Sequence, residues 1–219
     1  MKFGKNSVEA DDIWTREQFK AEAARILDVS WQVMHTAEWR LQKQSAVGDA
    51  FSAKPPGMNQ IFKIKGVVDM APEALLQLLF DNPDEYAKWN PVIVESLLLE
   101  RVGERAHVSY QVTAERLGGL VARRDFVVLS AWQERDGALV LANVSVPHPA
   151  APPPNTYIRG ENRPGCYVIR PVPGESNKSR VEWYLDTNLK GWLPQKILDA
   201  AFCSILTENL KNLKNYISK

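Results

Sequence analysis

The residues able to do chemistry in this chain are few. Its three histidines, His35, His107 and His148, lie far apart, and no Cys/His pair has zinc-site spacing. Two cysteines, Cys166 and Cys203, are too few for a disulfide framework. Either becomes a nucleophile only where a base meets it in space, and Cys203 falls in an apolar helical arc that suits a small buried residue. A serine elbow and a phosphate-cradling glycine loop are both missing. Glu115 and Asp125 are acids close in sequence, yet Arg116, Arg123 and Arg124 beside them point to ion pairing. Asn143-Val-Ser145 and Asn177-Lys-Ser179 have glycosylation-acceptor form, but no apolar signal core accompanies them. What remains is polar lettering in an apolar strand. Ser109, Gln111 and Thr113 alternate with Val108, Tyr110 and Val112, so the polar set faces either solvent or a semi-polar internal cavity.

The elements that must position these residues follow from periodicity. Thr15-Arg-Glu-Gln18 has capping-box form. Phe19, Ala23, Ile26, Leu27, Val33, Met34 and Leu41 then recur at helical spacing, which predicts a long amphipathic helix over 15–43. Pro55-Pro56-Gly57 turns the chain into a strand over 60–69, with Phe62, Ile64, Gly66 and Val68 on one face and Lys63 and Lys65 on the other. Met70-Ala-Pro72 opens a short helix through Phe80. Strands are predicted over 92–101, 105–113, 124–134, 138–146, 164–172 and 179–190, interrupted by Leu117-Gly-Gly-Leu-Val121 and by a proline-rich run over 147–154. Leu193-Pro194 starts a final helix to about Ile217, whose apolar arc is wide. Consecutive strands without intervening helices favour antiparallel pairing, hence an α+β domain with a curved sheet gripping the last helix.

Composition sets the outer limits. The chain has 219 residues, 45% of them hydrophobic and 24% charged, enough to enclose a sizeable core in one domain. With 27 basic against 26 acidic side chains, it lacks the basic excess of a general nucleic-acid binder. No stretch approaches the ~20 apolar residues of a membrane-spanning helix. A flexible segment over 1–12 followed by a single domain over 13–219 is expected.

Four motifs in succession carry a resemblance. They are Trp89-Asn90-Pro91, Arg124-Asp125-Phe126, Tyr157-Ile-Arg-Gly-Glu-Asn162 and Lys190-Gly-Trp-Leu-Pro194. In this order they resemble the START lipid-transfer family, in its steroidogenic acute regulatory protein branch, over about residues 13–218. The resemblance implies a helix-grip fold, a curved antiparallel sheet wrapped around the C-terminal helix with an internal lipid tunnel. It implies no enzymatic activity and no cofactor, only a bound carotenoid or sterol as cargo. A single acyl-thioester hydrolase or a lipid-dependent interaction module are rival readings; no separate thioesterase domain accompanies this one.

In the sterol-binding branch a carboxylate and an arginine face each other in the tunnel, at positions that correspond here to Gln111 and Ser130. Losing one charge would strand the other, whereas losing both is self-consistent and implies a neutral tunnel with an amide and a hydroxyl. That departure makes the chain similar to the carotenoid-binding members of this branch in insects. It implies intracellular transfer of a xanthophyll such as lutein, with cholesterol as the alternative. The ligand-binding residues implied are Gln111, Ser130, Ser109, Thr113, Phe126, Val128, Leu141, Asn143, Ser145, Asn162, Trp183, Leu185, Leu198, Phe202 and Ile205. The loop residues Leu117, Leu120 and Val121, with Trp192, are implied to touch a membrane at the tunnel entrance. The protein is expected to act as a cytoplasmic monomer, peripheral to membranes, with no nucleic-acid partner and no metal.

Overall fold

The computed structural model describes residues 14–116, 119, 121–154, 156–191 and 195–219, with side chains of the last segment described from Phe202 onward. The segment 1–12, Leu117, Leu120, Trp192 and the Leu198 side chain lie outside the described residues.

The first helix, α1 (Arg16–Thr36), begins at the expected capping box. Thr15 Oγ1 accepts from the Gln18 amide at 3.3 Å, and the Gln18 side chain accepts from the Thr15 amide at 2.7 Å. It ends seven residues short of prediction, because Ala37 adopts an extended backbone and the Trp39 indole donates to the Met34 carbonyl at 3.0 Å. Arg40–Lys43 then forms β1, an exposed strand paired with β2 (Asp49–Ala53). Next come β3 (Ile61–Val68), α2 (Pro72–Phe80), a 3-10 turn at Pro83–Glu85 and α3 (Tyr86–Trp89). A long antiparallel series follows: β4 (Ile93–Gly103), β5 (Ala106–Thr113), β6 (Arg124–Arg135) and β7 (Ala138–Ser145). After the two-residue β8 (Ile158–Arg159), which runs parallel to β6, come β9 (Glu161–Val172) and β10 (Glu175–Asn188), and α4 (Gln195–Ile217) closes the chain.

The strands make one sheet in the order β1-β2-β3-β10-β9-β7-β6-β5-β4, antiparallel along that path. Alternation along each strand divides the apolar side chains between two faces. Val108, Tyr110, Val127, Leu129, Val140 and Val144 pack with Phe19, Ala23, Ile26 and Met34 of α1. Phe62, Ile64, Leu141, Tyr167 and Ile169 meet Leu75 and Leu79 of α2 and Leu206, Leu210 and Leu213 of α4. α1 therefore buries its stripe against one side of the sheet, and α2 and α4 bury theirs against the other, as the α+β helix-grip expectation requires.

Close approach fixes α4. A Cβ on Gly66 would sit 2.7 Å from Leu210 Cδ2, and one on Gly48 would sit 2.8 Å from the same atom. The bare backbone of β3 and the turn before β2 thus lets α4 lie directly on the sheet, while Lys214 Nζ donates to the Val47 carbonyl at 2.6 Å. Lys63 departs from the simple two-face expectation. It is buried beside the Trp39 ring, 4.5 Å from its centroid, and pairs with Glu182 at 3.1 Å. Among the described residues no helix is long and apolar enough to cross a membrane.

Candidate functional site: an internal cavity beneath the last helix

Between the α4 face of the sheet and α2, α3 and α4 lies a cavity of about 340 Å³. Its walls come from the same alternation that builds the core. Gln111 and Thr113 of β5, Phe126, Val128 and Ser130 of β6, and Leu141 and Asn143 of β7 all reach it. Asn162 of β9, Trp183 and Leu185 of β10, and Phe202 and Ile205 of α4 complete the predicted set that lines it. The polar face of β5 therefore turns inward, not to solvent.

Two predicted lining residues stand behind the wall instead. Ser109 is fully buried, with its Oγ accepting from Gln111 Nε2 at 3.5 Å. Ser145 Oγ accepts from the Asn162 amide at 2.8 Å, so it braces the β7–β9 seam and contributes no surface to the cavity. Asn162 in turn accepts from the Thr187 hydroxyl at 2.8 Å.

The register corrects the expected relation between Gln111 and Ser130. Gln111 lies opposite Phe126, whereas Ser130 lies opposite His107, four residues further along β5. At ~3.3 Å per residue the two positions are separated by roughly 13 Å along the strand. They share a face without forming a facing pair. The side chains level with Ser130 are His107 on β5 and Asn143 on β7.

The expectation of a neutral tunnel is also corrected. Arg163 and Asp186, partners across β9 and β10, lie 3.7 Å apart at the cavity margin, and Asp186 is almost fully buried. Burial raises the Asp186 pKa more strongly than Arg163 lowers it. Arg116 and Glu208, 3.6 Å apart and also in the cavity lining, join the β5–β6 connection to α4. Charge has therefore not left this cavity. It enters from strands and a helix other than the two that carry Gln111 and Ser130.

Sequence reasoning missed several apolar and polar wall residues, chief among them Leu79, Tyr86, His107 and Tyr167. Tyr167 stacks on Trp183 with centroids 4.9 Å apart, and its hydroxyl lies 3.3 Å from that of Tyr86. Burial pushes the Tyr86 phenol up to about 12, so both remain neutral donors and acceptors. His107 had a usable signal: it continues the Gln111, Ser109 alternation by one more step.

The motifs hold the cavity's frame. Asp125 is fully buried and receives two bonds from Arg159, at 3.0 Å from Nε and 2.7 Å from the terminal nitrogen. Arg159 also donates to the Ala151 and Pro152 carbonyls, at 3.1 and 3.2 Å, which pins the proline-rich run. The next residue, Gly160, lies against the face of Phe126, where any Cβ would overlap the ring. Arg124 forms no ion pair with its acidic neighbours. It donates to the carbonyls of Ala122, Leu189 and Lys190, tying the β5–β6 connection to the turn before α4. That turn uses left-handed backbone at Lys190 (φ 51°) and Gly191 (φ 79°), and Lys190 Nζ reaches Glu161 at 2.5 Å. Val121 is buried and lines the cavity, so it is not exposed toward a membrane here. Cys166 is buried under α1, its thiol pKa pushed up by burial, which is opposite to what a nucleophile requires.

Comparison with known proteins places this architecture. Residues 30–216 match the START domain family. The chain is 31% identical over 182 residues to the mitochondrial steroidogenic acute regulatory protein of Gallus gallus, covering 83% of this chain and 65% of that protein. The Homo sapiens protein of the same name is 30% identical over 182 residues, covering 83% and 62%. The chain thus spans slightly less than two thirds of the length of these relatives. Human StAR-related lipid transfer protein 5 superposes with a TM-score of 0.82 at 20% identity, over 93% of this chain and 98% of that one. Human STARD10 gives 0.75 at 19% identity, over 99% and 83%. With the motifs, the sheet order and the cavity in agreement, the chain belongs to the START domain family.

Proposed function

We propose that this domain binds one hydroxylated isoprenoid lipid in its central cavity and transfers it between membranes without altering it chemically. The cavity beneath α4, about 340 Å³ and lined by apolar side chains with polar groups set among them, carries the reading. Ligand sites of this kind usually measure ~300–1,000 Å³ and use a few placed polar groups to orient an apolar body. A volume at the low end of that range, with the 28–31% identity to steroidogenic acute regulatory proteins, favours a sterol as cargo.

A xanthophyll such as lutein is the second reading, favoured by the uncharged side chains at Gln111 and Ser130. Its polyene would lie along Phe126, Val128 and Trp183, with a ring hydroxyl near Gln111 or Ser130, and its length would carry it through the entrance. Ser109 and Ser145 support the wall in either case, and Leu198 of α4 is a further candidate for contact with the cargo.

Transfer requires the entrance to open. The β5–β6 connection and the turn before α4 bracket it, held by Arg124 and by the Arg116–Glu208 pair. Leu117, Leu120 and Trp192 touch the membrane as these contacts part, and Val121 leaves the cavity wall with them. The protein works as a monomer in an aqueous compartment, docking transiently on membranes.

Purified protein incubated separately with cholesterol and lutein, then gel-filtered, tests the reading. Co-elution of sterol in a one-to-one ratio, displaced little by lutein, is the expected result. A protein-bound visible absorption band that cholesterol cannot displace selects the xanthophyll. Co-elution of neither lipid removes the proposal.

A further inference from the structure

Among the described residues, several buried polar atoms of the cavity lining make no hydrogen bond, on Arg116, Asp186, Asn209 and His107, and of these residues only His107 lies on β5. His107 is 2% exposed, reaches the cavity from β5, and its Nδ1 makes no hydrogen bond among the described residues. The ring packs at a tilt against Phe80 of α2, with centroids 4.6 Å apart, and Phe80 in turn meets Trp132 edge-on at 6.5 Å. Burying a polar atom unpaired costs stability, and a folded chain usually satisfies it with protein or water.

The neighbours of His107 sharpen what would satisfy it. Across the ladder sits Ser130, and across the next sits Asn143, both lining the same cavity. Three uncharged polar side chains on three adjacent strands form a belt level with one another across the sheet. Burial pushes the His107 pKa down to about 4, with Arg101 acting in the same direction and Asp84 weakly against it. A neutral imidazole offers one acceptor and one donor, the serine offers both, and the amide offers both. None of the three supplies a full charge.

We infer that the His107–Ser130–Asn143 belt is the seat of the cargo's hydroxyl group, with His107 the residue that selects for it. This rests on the lipid-carrier reading above. A ligand hydroxyl donates to an imidazole nitrogen while accepting from the Ser130 hydroxyl or the Asn143 amide. A ketone can only accept, from an imidazole N–H, Ser130 or Asn143, so it forfeits the bond that a hydroxyl donates to the belt. A fatty-acid carboxylate or a phosphate would bury its charge against a neutral belt, which is unfavourable without a cation. The belt therefore specifies neutral lipids ending in a hydroxyl, and it assigns Gln111, some four residues nearer the entrance, a lesser part in recognition.

The test compares binding of a 3β-hydroxy sterol with its 3-keto analogue, by competition against a fluorescent sterol. The wild-type protein should prefer the alcohol by about tenfold, the worth of one buried hydrogen bond. His107→Phe keeps an aromatic ring packed against Phe80 but removes both nitrogens, so the preference should fall to within about twofold of unity. His107→Gln restores an acceptor and a donor and should recover most of it. An unchanged preference in His107→Phe overturns the assignment of His107 while leaving lipid carriage intact. Should His107→Phe bind neither sterol, Ser130→Ala decides: a reduced preference there supports the belt, and full retention overturns it. Absence of sterol and xanthophyll binding in the wild-type protein removes the carrier reading and this assignment together.

Discussion

Removing the Asp125 carboxylate should unfasten the wall of the cavity, and the size of the effect follows from its surroundings. Asp125 is fully buried, and Arg159, its partner, is mostly buried and spans from β8 to the proline-rich run. Asp125→Ala leaves the guanidinium without its anion. Stranding one member of a buried pair usually costs about 3–5 kcal/mol, which for a domain of this length lowers Tm by about 6–20 °C. Arg159→Met strands the carboxylate instead and should cost a similar amount. Replacing both, as Asp125→Leu/Arg159→Met, removes the two desolvation penalties together and should recover at least about 2 kcal/mol of the summed loss. Urea unfolding of the four proteins gives the coupling directly. Singles within about 1 kcal/mol of wild type, or a double variant equal to the sum of the singles, would refute the claim that this pair braces the wall. The functional consequence is local: Gly160 no longer presses on Phe126, so lipid affinity should fall more than secondary structure changes.

Other expected outcomes follow from particular contacts. Gly66→Ala places a methyl group 2.7 Å from Leu210 Cδ2, so the Leu210 side chain must repack; a loss of about 1–3 kcal/mol in urea melts is expected, with weaker lipid retention. His107 has a folded pKa of about 4 against about 6.5 when unfolded, so the unfolded chain binds the extra proton between those values. Stability should therefore fall as pH drops from 6.5 to 4, by about 3 kcal/mol attributable to this residue, and His107→Phe should abolish that part of the pH dependence. Lipid binding should stay level between pH 8 and 6, where His107 is already neutral. Acidic substitutions at Leu117 and Leu120 should slow transfer between anionic vesicles while leaving equilibrium binding intact; unchanged transfer rates would remove the membrane role of this connection.

Much of the sheet was legible because its interior strands obey a simple rule. On β5, β6 and β7 one face packs under α1 and the other meets the cavity, so alternation alone sorts Val108 from Gln111 and Leu129 from Ser130. The START resemblance, carried by Arg124-Asp125-Phe126 and the other motifs, then implied which face was the cavity side. Legibility fails where pairing, not pattern, sets the structure. The predicted overrun of α1 arises because Leu41 happens to fall in helical phase and no glycine or proline stops the pattern. The strand β2 is five residues of mixed character, held by its partners β1 and β3. On β9 and β10 the register shifts between Tyr184 and Asp186, which brings Arg163 beside Asp186 by a bulge that alternation cannot foresee. His107 is a different case. Its phase was readable, but its role emerges only when Ser130 and Asn143 are seen level with it across two ladders.

The central claim is that the cavity carries a neutral hydroxylated isoprenoid. Isolation of the protein from a lipid-rich native source, followed by solvent extraction and mass spectrometry of the bound material, tests it most directly. The account predicts about one molecule of sterol or xanthophyll per protein chain. A phospholipid, a fatty acid or no bound lipid at all would contradict it.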